Sequence, residues 1–553
     1  MVNVKNLFGM AVMATALVGC SSNDNLAPDG NGGNKDGAAY ASFTINLPTT
    51  RATRVAGDPT FAEGDAKEYE VKNGTILIFT NDGKFVTSAQ LGNMNPWKDI
   101  KTDGVTTAAT ATVQLTGVEV GGNYQALVLL NNDVDGAPSK VTLPTSGESY
   151  ASWNAKAENA TAAYTNTDYI FMANAPKYTG TSTEPTTLVP VANICASREQ
   201  AEAKAATTVY VERGLAKVTM QKFNDDGYAI AAGTYEGAKV EIKKWQLDVT
   251  NKSTFPVHQT GGLMTSWAEI WNTPRFYDQT STAFKRVYWG IDPNYNNSDY
   301  QTLVNCKTAF NMITKDKVVG EAGNTHPQYC LENTFDLDNM KQGQTTRVVF
   351  KAVFTPKDFT TGQTFYKIGN NTAIWDATKL AQQIHTVAVT AMGITDAAEQ
   401  ENYVVKLDAS TNNISGTAGL HTITAANIEY KGTGTSLVAA NIDKINEKLG
   451  LTETGISTYL NGEAYYIARI KHFNEKTPWN AGEAYGIENG KYLGRYGVLR
   501  NNWYDLSVNS ISGLGYPDVP EVKPNMPDDE NEQYINVEVK ILDWAKRSQS
   551  IDL

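Results

Sequence analysis

Hydrophobic and polar residues alternate with a period of two over short stretches through most of this chain, with Gly, Asn and Asp between them. In the first half the stretches fall at 75–79, 113–115, 126–130, 209–211, 216–220 and 240–249, and Asn81-Asp82-Gly83 follows the first. From 256 a Tyr-, Trp- and Asn-rich run intervenes, after which the alternation returns at 347–354, 403–407, 464–470 and 503–511. Alternation between turn residues predicts antiparallel strands. Helical signals are few. A charged, Ala-rich stretch at 197–206 predicts one helix. A second is predicted behind Ser436 as N-cap, with Val438, Ile442, Ile445 and Leu449 on one face and Gly450 past its end. Crossover helices are too few for a parallel sheet, so the chain reads as all-β dominated with few short helices. At 553 residues it is too long for one core. The pattern divides it into an N-terminal β-domain at 55–255 and a C-terminal one at 256–516.

Two further strands lie outside these domains. Residues 41–47 place Phe43, Ile45 and Leu47 on one face. Near the other end Ile535, Val537, Val539 and Ile541 alternate with Asn536, Glu538 and Lys540, and Trp544 follows. Residues 517–553 thus comprise a spacer and this last strand. The spacer holds Pro517, Pro520, Pro524 and Pro527 and then Asp528-Asp529-Glu530, which predicts an extended, exposed segment. A terminal strand hung on such a spacer either folds back on its own domain or completes a sheet in another molecule. After the first strand, the small, polar stretch from Pro48 to Pro59 carries Arg51 and Arg54 and is the kind of loop that proteases reach. Cutting there would free the first strand and empty its place. A permanent first strand followed by an ordinary loop fits these residues alone equally well.

The opening residues add an address. Lys5, an apolar run at 7–16 and Leu17-Val18-Gly19-Cys20 read as a lipoprotein signal peptide over 1–19, with Cys20 as the lipid acceptor. The polar stretch 21–37 then serves as a tether, so 20–54 is a lipidated tether plus a removable strand. A net charge of −12 leaves no basic field to attract phosphate, which argues against nucleic acid as a partner. Beyond Cys20, Cys195, Cys306 and Cys330 form an odd set; a Cys306–Cys330 disulfide is open but not compelled.

A search for chemistry returns nothing. His258, His326, His385, His421 and His472 are scattered and form no HExxH, no P-loop occurs, and Gly432 and Gly434 lack the rest of a dinucleotide fingerprint. Asp292-Pro293-Asn294 begins like a calcium loop, but Asn297 and Leu303 stand where Gly and Glu are needed, so a polar surface turn is expected. Neither an enzyme, a metal nor a cofactor is indicated. One rival to a structural role is a glycan-binding surface lipoprotein using Trp267, Trp271, Trp289 and Tyr288, against which stands simple packing of those aromatics.

Several segments carry a family resemblance. They are the lipobox at Cys20, Arg54-Val-Ala-Gly-Asp58, Val211-Glu-Arg-Gly-Leu-Ala-Lys-Val218, Arg347-Val-Val-Phe-Lys-Ala-Val-Phe-Thr-Pro-Lys357, Val498-Leu-Arg-Asn-Asn-Trp-Tyr504, and Val537 to Trp544 with Asp552-Leu553. In that order they resemble the shaft fimbrillin of the short, or minor, fimbriae of Bacteroidia, within the type V pilin family. The resemblance is patchy but spans most of the exported chain. It implies two transthyretin-like β-sandwich domains and an outer-membrane lipoprotein precursor. It also implies a cut by an Arg-specific surface protease, after Arg54 rather than Arg51, because Ala56-Gly57-Asp58 follows. The strand holding Phe43, Ile45 and Leu47 would then leave. The donor strand with Ile535, Val537, Val539, Ile541 and Trp544 would fill the groove of the next copy. Implied partners are copies of the chain in a head-to-tail filament, together with anchor and tip subunits; an anchor role for this chain is the alternative.

Overall fold

The computed structural model describes residues 38–48, 68, 70–92, 98–102, 105–133, 139–159, 169–180, 184–273, 275–279, 284–408, 413–472, 485–529 and 535–543. Strands dominate. The first body is built on β1 (Ala39–Pro48), β2 (Gly74–Thr80), β3 (Phe85–Gln90), β4 (Lys98–Thr102), β5 (Val105–Leu115), β6 (Tyr124–Leu130), β7 (Met172–Asn174) and β8 (Thr207–Arg213). They join one sheet in the order β3-β2-β6-β7-β8-β1-β5-β4, with a short strand, Val189–Pro190, added on β6. The sheet curls on itself, so that Ile76, Ile78 and Val128 share a core with Ala41, Phe43, Val113 and Leu115. The opposite faces of β2 and β6 also lie under cover: Leu77, Phe79, Leu127 and Leu129 enter a second core with Trp153 and Leu215. At 76–79 and 126–130 the chain is an unbroken apolar run and not the alternation expected there, which is what strands buried on both faces require. The turn after β2 uses Gly83 at φ 78°, a conformation open to glycine at no steric cost. The expected helix near 200 is present as α1 (Arg198–Ala203), capped by the Ser197 hydroxyl, which accepts from the Gln200 amide. It lies over the polar face of β1, where the Ser42 hydroxyl donates to the Ala201 carbonyl at 2.9 Å.

The large sheets part at Gly214, not near 255, although Ser253 and Thr254 still pair back with Asn159 and Glu158. β8 closes the first sheet, and β9 (Leu215–Met220), one residue later, opens the second body together with β10 (Lys239–Asp248), β11 (Gln328–Leu331), β12 (Arg347–Thr355), β13 (Glu463–Arg469), β14 (Asn502–Ile511) and β15 (Ile535–Asp543). Alternation shows that a segment is a strand but not which sheet it joins, so β9 and β10 fell on the wrong side of the expected boundary. Two four-stranded sheets face each other here, β11-β9-β14-β15 and a short strand Tyr228–Ala229 followed by β10-β12-β13. Their shared core holds Val218, Met220, Trp245, Phe350, Phe354, Tyr466, Tyr504, Leu506 and Val537, the two-layer packing of a β-sandwich.

Two layers surround that sandwich. The aromatic run packs as a core of its own: Trp271, Tyr288 and Trp289 are at most 3% exposed, and half-buried Trp267 lies against the same cluster. A lobe between β12 and β13 packs α2 (Ala377–Met392) and α3 (Val438–Lys448) on the small sheet 365–368, 456–459, 419–421. α3 is the helix expected behind Ser436, and the Ser436 hydroxyl accepts from the Val438 amide. α2 was not anticipated, although Asp376 caps it and Gly393 ends it at φ 74°.

Three other expectations change. The spacer does not lie exposed along its length: Val522, Asp528 and Asp529 are buried, and Arg347 Nη2 donates to the Pro520 carbonyl at 2.7 Å. Its polar residues find partners on the second body, which local composition does not reveal. Asp292 and Asn294 are likewise buried, not part of a surface turn, because Asp292 accepts from the amides of Asn294 and Thr334 at 2.6 Å each. Cys195, Cys306 and Cys330 are all buried free thiols. Among the described residues no group of side chains could hold a metal ion, and no helix is long and apolar enough to cross a membrane.

Candidate functional site

β1 runs between two neighbours. It is parallel to β8, with Phe43 opposite Thr207 and Ile45 opposite Val209, and antiparallel to β5 over its whole length, from Ala39 opposite Leu115 to Pro48 opposite Val105. Ala39, Ala41, Phe43 and Ile45 have no exposed surface, and Val209, Val211, Val113 and Leu115 line the same core. Burying a large apolar side chain contributes roughly 1.5–3 kcal/mol. Phe43 and Ile45 therefore anchor the strand, while the two alanines allow the sheet to close tightly around it. Leu47 pairs through its backbone with Thr107.

β15 is held differently. Among the described residues it pairs only with β14, antiparallel, with Ile535 opposite Ile511, Val537 opposite Val508, Val539 opposite Leu506 and Ile541 opposite Tyr504. Among them no strand pairs with its other side. Val537, 4% exposed, reaches the core of the second body. The strand expected at the C-terminus thus exists, in register, folded back on its own domain.

The segment that carries this strand is also where the chain can be placed among known proteins. Residues 457–550 match the family model for the C-terminal region of the type IV major fimbrial subunit protein, fimbrillin. Over these residues the chain is similar to a fimbrillin C-terminal region. The match takes in β13, β14 and β15 of the fimbrillin-like part. No curated protein sequence matches the chain. Among solved structures it is similar to a candidate cell adhesion protein of Parabacteroides distasonis (10% identity, TM-score 0.38, covering 93% of this chain and all of that one). It is also similar to the tip fimbrial protein Mfa3 of Porphyromonas gingivalis with a C-terminal truncation (9%, 0.29, 91% of this chain and all of that one). A third is a fimbrial assembly protein of P. distasonis (13%, 0.26, 56% of this chain and 94% of that one).

Where β8 passes into β9, the fimbrillin-like chain ties its two bodies together with buried charge. Lys217 lies 2.5 Å from Glu68, both almost fully buried, and its ammonium sits 3.9 Å from the ring centre of Trp503 on β14. The Tyr329 hydroxyl also donates to Glu68, at 2.6 Å. On β8, Glu212 accepts from Arg286 Nε at 2.8 Å and lies 2.6 Å from His258 Nδ1, while Arg500 Nε meets Glu332 at 3.1 Å. Burial alone would raise the Glu212 carboxyl; Arg286 and then His258 outweigh it and hold it down at about 2. Charges so deeply buried persist only when paired, which makes the junction intolerant of losing one partner.

Of the residues singled out in the sequence, Phe43, Ile45 and Val537 stand in cores, and Leu47, Ile535, Val539 and Ile541 stand in strand register. Cys20, Arg51, Arg54 and Trp544 lie outside the described residues. Sequence reasoning missed Glu68, Lys217, Glu212, Arg286 and Arg500. No local signal pointed to them: Lys217 alternates with the core residues Ala216 and Val218, as a solvent-facing strand residue would.

Proposed function

We propose that this chain is a structural subunit of a bacterial surface fimbria that polymerises by exchanging strands. In this reading the precursor is held to the outer membrane through a lipid on Cys20. An Arg-specific surface protease cuts after Arg54, or after Arg51, and β1 leaves. The slot between β5 and β8 then receives β15 from a neighbouring copy. Each subunit uses a slot at one place and a tail at another, so contacts repeat head to tail and build an open filament. Anchor and tip subunits would close its ends. The fimbrillin C-terminal match supports a cell-surface, adhesion-type structural role and a non-catalytic one.

One observation supports the mechanism: among the described residues β1 is paired on both sides, whereas β15, of similar length and with its own alternating apolar row, is paired on one. A strand that moves from a sheet edge into a two-sided slot gives up one ladder and gains two, each hydrogen bond adding roughly 0.5–1.5 kcal/mol net. The packing of Trp271, Trp289 and Tyr288 in a core speaks against the glycan-binding alternative, which leaves half-buried Trp267 as its remaining aromatic. Deleting residues 535–553 tests the reading. Soluble, folded monomers without filaments are expected by size-exclusion chromatography and electron microscopy, and normal filaments would refute it. N-terminal sequencing of surface material should begin after Arg54 or Arg51; subunits still starting at acylated Cys20 would exclude release of β1.

A further inference from the structure

The spacer before β15 docks along the second body and ends in two buried carboxylates. Upstream, the Gln342 amide donates to the Met526 carbonyl at 2.9 Å, and Pro527 bridges to Lys341. Asp528 is fully buried and bonded through four atoms. Its amide donates to the Met340 carbonyl at 3.1 Å, and its carbonyl accepts from Arg469 Nε at 2.6 Å. Its carboxylate accepts from the Thr345 hydroxyl at 2.8 Å and the Tyr485 hydroxyl at 3.1 Å. Asp529 accepts from the Tyr496 hydroxyl at 2.8 Å and lies 3.3 Å from Arg495 Nε. Arg469 ends β13, and Thr345 stands just before β12, so these contacts fix the spacer to one end of the β12–β13 ladder. None of the partners lies on β15.

We infer that Asp528 and Asp529 form a latch that fixes the root of the donor strand, so that β15 is handed to a neighbour while everything up to Asp529 stays on its own body. The inference rests on the strand-exchange reading above and adds what positions the donor. Because no latch partner belongs to β15, the β14–β15 ladder can open without disturbing it. The geometric consequence is a short arm. From Asp529 to Ile535 there are six Cα steps, spanning at most about 22 Å at ~3.6 Å per extended residue. A spacer loose from Pro517 onward would span up to roughly 65 Å over eighteen steps. The latch therefore requires the acceptor slot to lie within about 22 Å of the neighbour's Asp529, which makes a close, stiff joint.

Two measurements decide it. Hydrogen exchange on the wild-type protein should find the amides of Gln342 and Asp528 equally protected in monomer and in filament, while β14 amides change. Loss of protection at Asp528 on assembly overturns the latch. Asp528→Asn combined with Asp529→Asn should still assemble but give filaments whose persistence length falls several-fold. A flexible insertion of six Gly/Ser residues directly after Asp529, which leaves every latch contact in place, should soften them equally. Unchanged stiffness with the insertion also overturns the latch, even if the double variant fails to fold. The two proposals fail separately: normal filaments from the chain lacking 535–553 sink strand exchange itself, whereas their loss together with an indifferent insertion sinks only the latch.

Discussion

Phe43→Ala should weaken the precursor and leave the filament untouched. Phe43 has no exposed surface and packs in the core formed with Ile76, Val128, Val209 and Leu115. Truncating a phenylalanine at such a site costs about 3–5 kcal/mol in lost transfer and cavity. In the uncut precursor, kept so by Arg51→Ala and Arg54→Ala, the guanidinium midpoint of the first body should fall accordingly. A chain with several cores need not unfold in one step, so that transition is read by itself. Leu115→Ala is the matched control. Leu115 sits on β5, equally buried in the same core, and stays in the subunit whether or not β1 does. Its loss, about 2–5 kcal/mol, should weaken precursor and filament alike. The assay is denaturant-driven unfolding of the precursor beside thermal dissociation of filaments assembled from cleaved protein. If Phe43→Ala lowered filament stability as much as Leu115→Ala, β1 would still occupy its slot in the polymer, and the exchange would be refuted.

Other perturbations give separate checks. Burial lifts the Asp292 carboxyl to about 7 and the Asp528 carboxyl to about 6. A carboxyl raised on folding favours the native state while protonated, and that advantage disappears as pH climbs from about 4 through these values, by up to ~4 kcal/mol for Asp292. The thermal midpoint should therefore be higher at pH 5 than at pH 8, with Asp292→Asn flattening the slope; a higher midpoint at pH 8 would contradict the burial argument. Glu212→Gln removes the buried carboxylate charge that Arg286 and His258 meet at the junction and should destabilise the chain by about 3–5 kcal/mol, measured by chemical denaturation. Burial pushes the Cys330 thiol up to about 12, so iodoacetamide should leave Cys330 unmodified in native protein and alkylate it after unfolding, as mass spectrometry would read out.

Much of this architecture was legible because its signals are local. Alternation marked β1 and β15, the charged, Ala-rich stretch marked α1, and the apolar face behind Ser436 marked α3. What stayed hidden depends on partners distant in sequence. α2 reads Ala-Thr-Lys-Leu-Ala-Gln-Gln-Ile-His-Thr-Val-Ala-Val-Thr-Ala-Met, and its β-branched residues lower helix propensity, although Leu380, Ile384, Ala388 and Ala391 keep a helical spacing on the buried side. Asp528 and Asp529 look like surface residues until Arg469, Tyr485, Thr345 and Tyr496 are placed around them. Glu68 and Lys217 give no mutual sign in sequence, yet their pair stitches the entry of the first body to β9.

The asymmetry between β1 and β15 also explains why a cut would be needed. As long as β1 is covalently joined to its sheet, it competes for the slot at the high effective concentration of a tethered strand, with two ladders and the burial of Phe43 and Ile45 in its favour. A neighbour's β15 would have to displace it while giving up its own ladder to β14 and the seat of Val537, so the uncut chain is predicted to remain monomeric however concentrated it is. Cleavage would end the covalent link between β1 and its sheet, leaving β1 on the lipid-held fragment while the subunit departs, and the competition would then turn on two ladders gained against one lost. Polymerisation should thus be switched by the cut rather than by concentration. Filaments appearing in concentrated Arg51→Ala, Arg54→Ala protein would mean that β15 wins without help, and that the slot was never effectively closed.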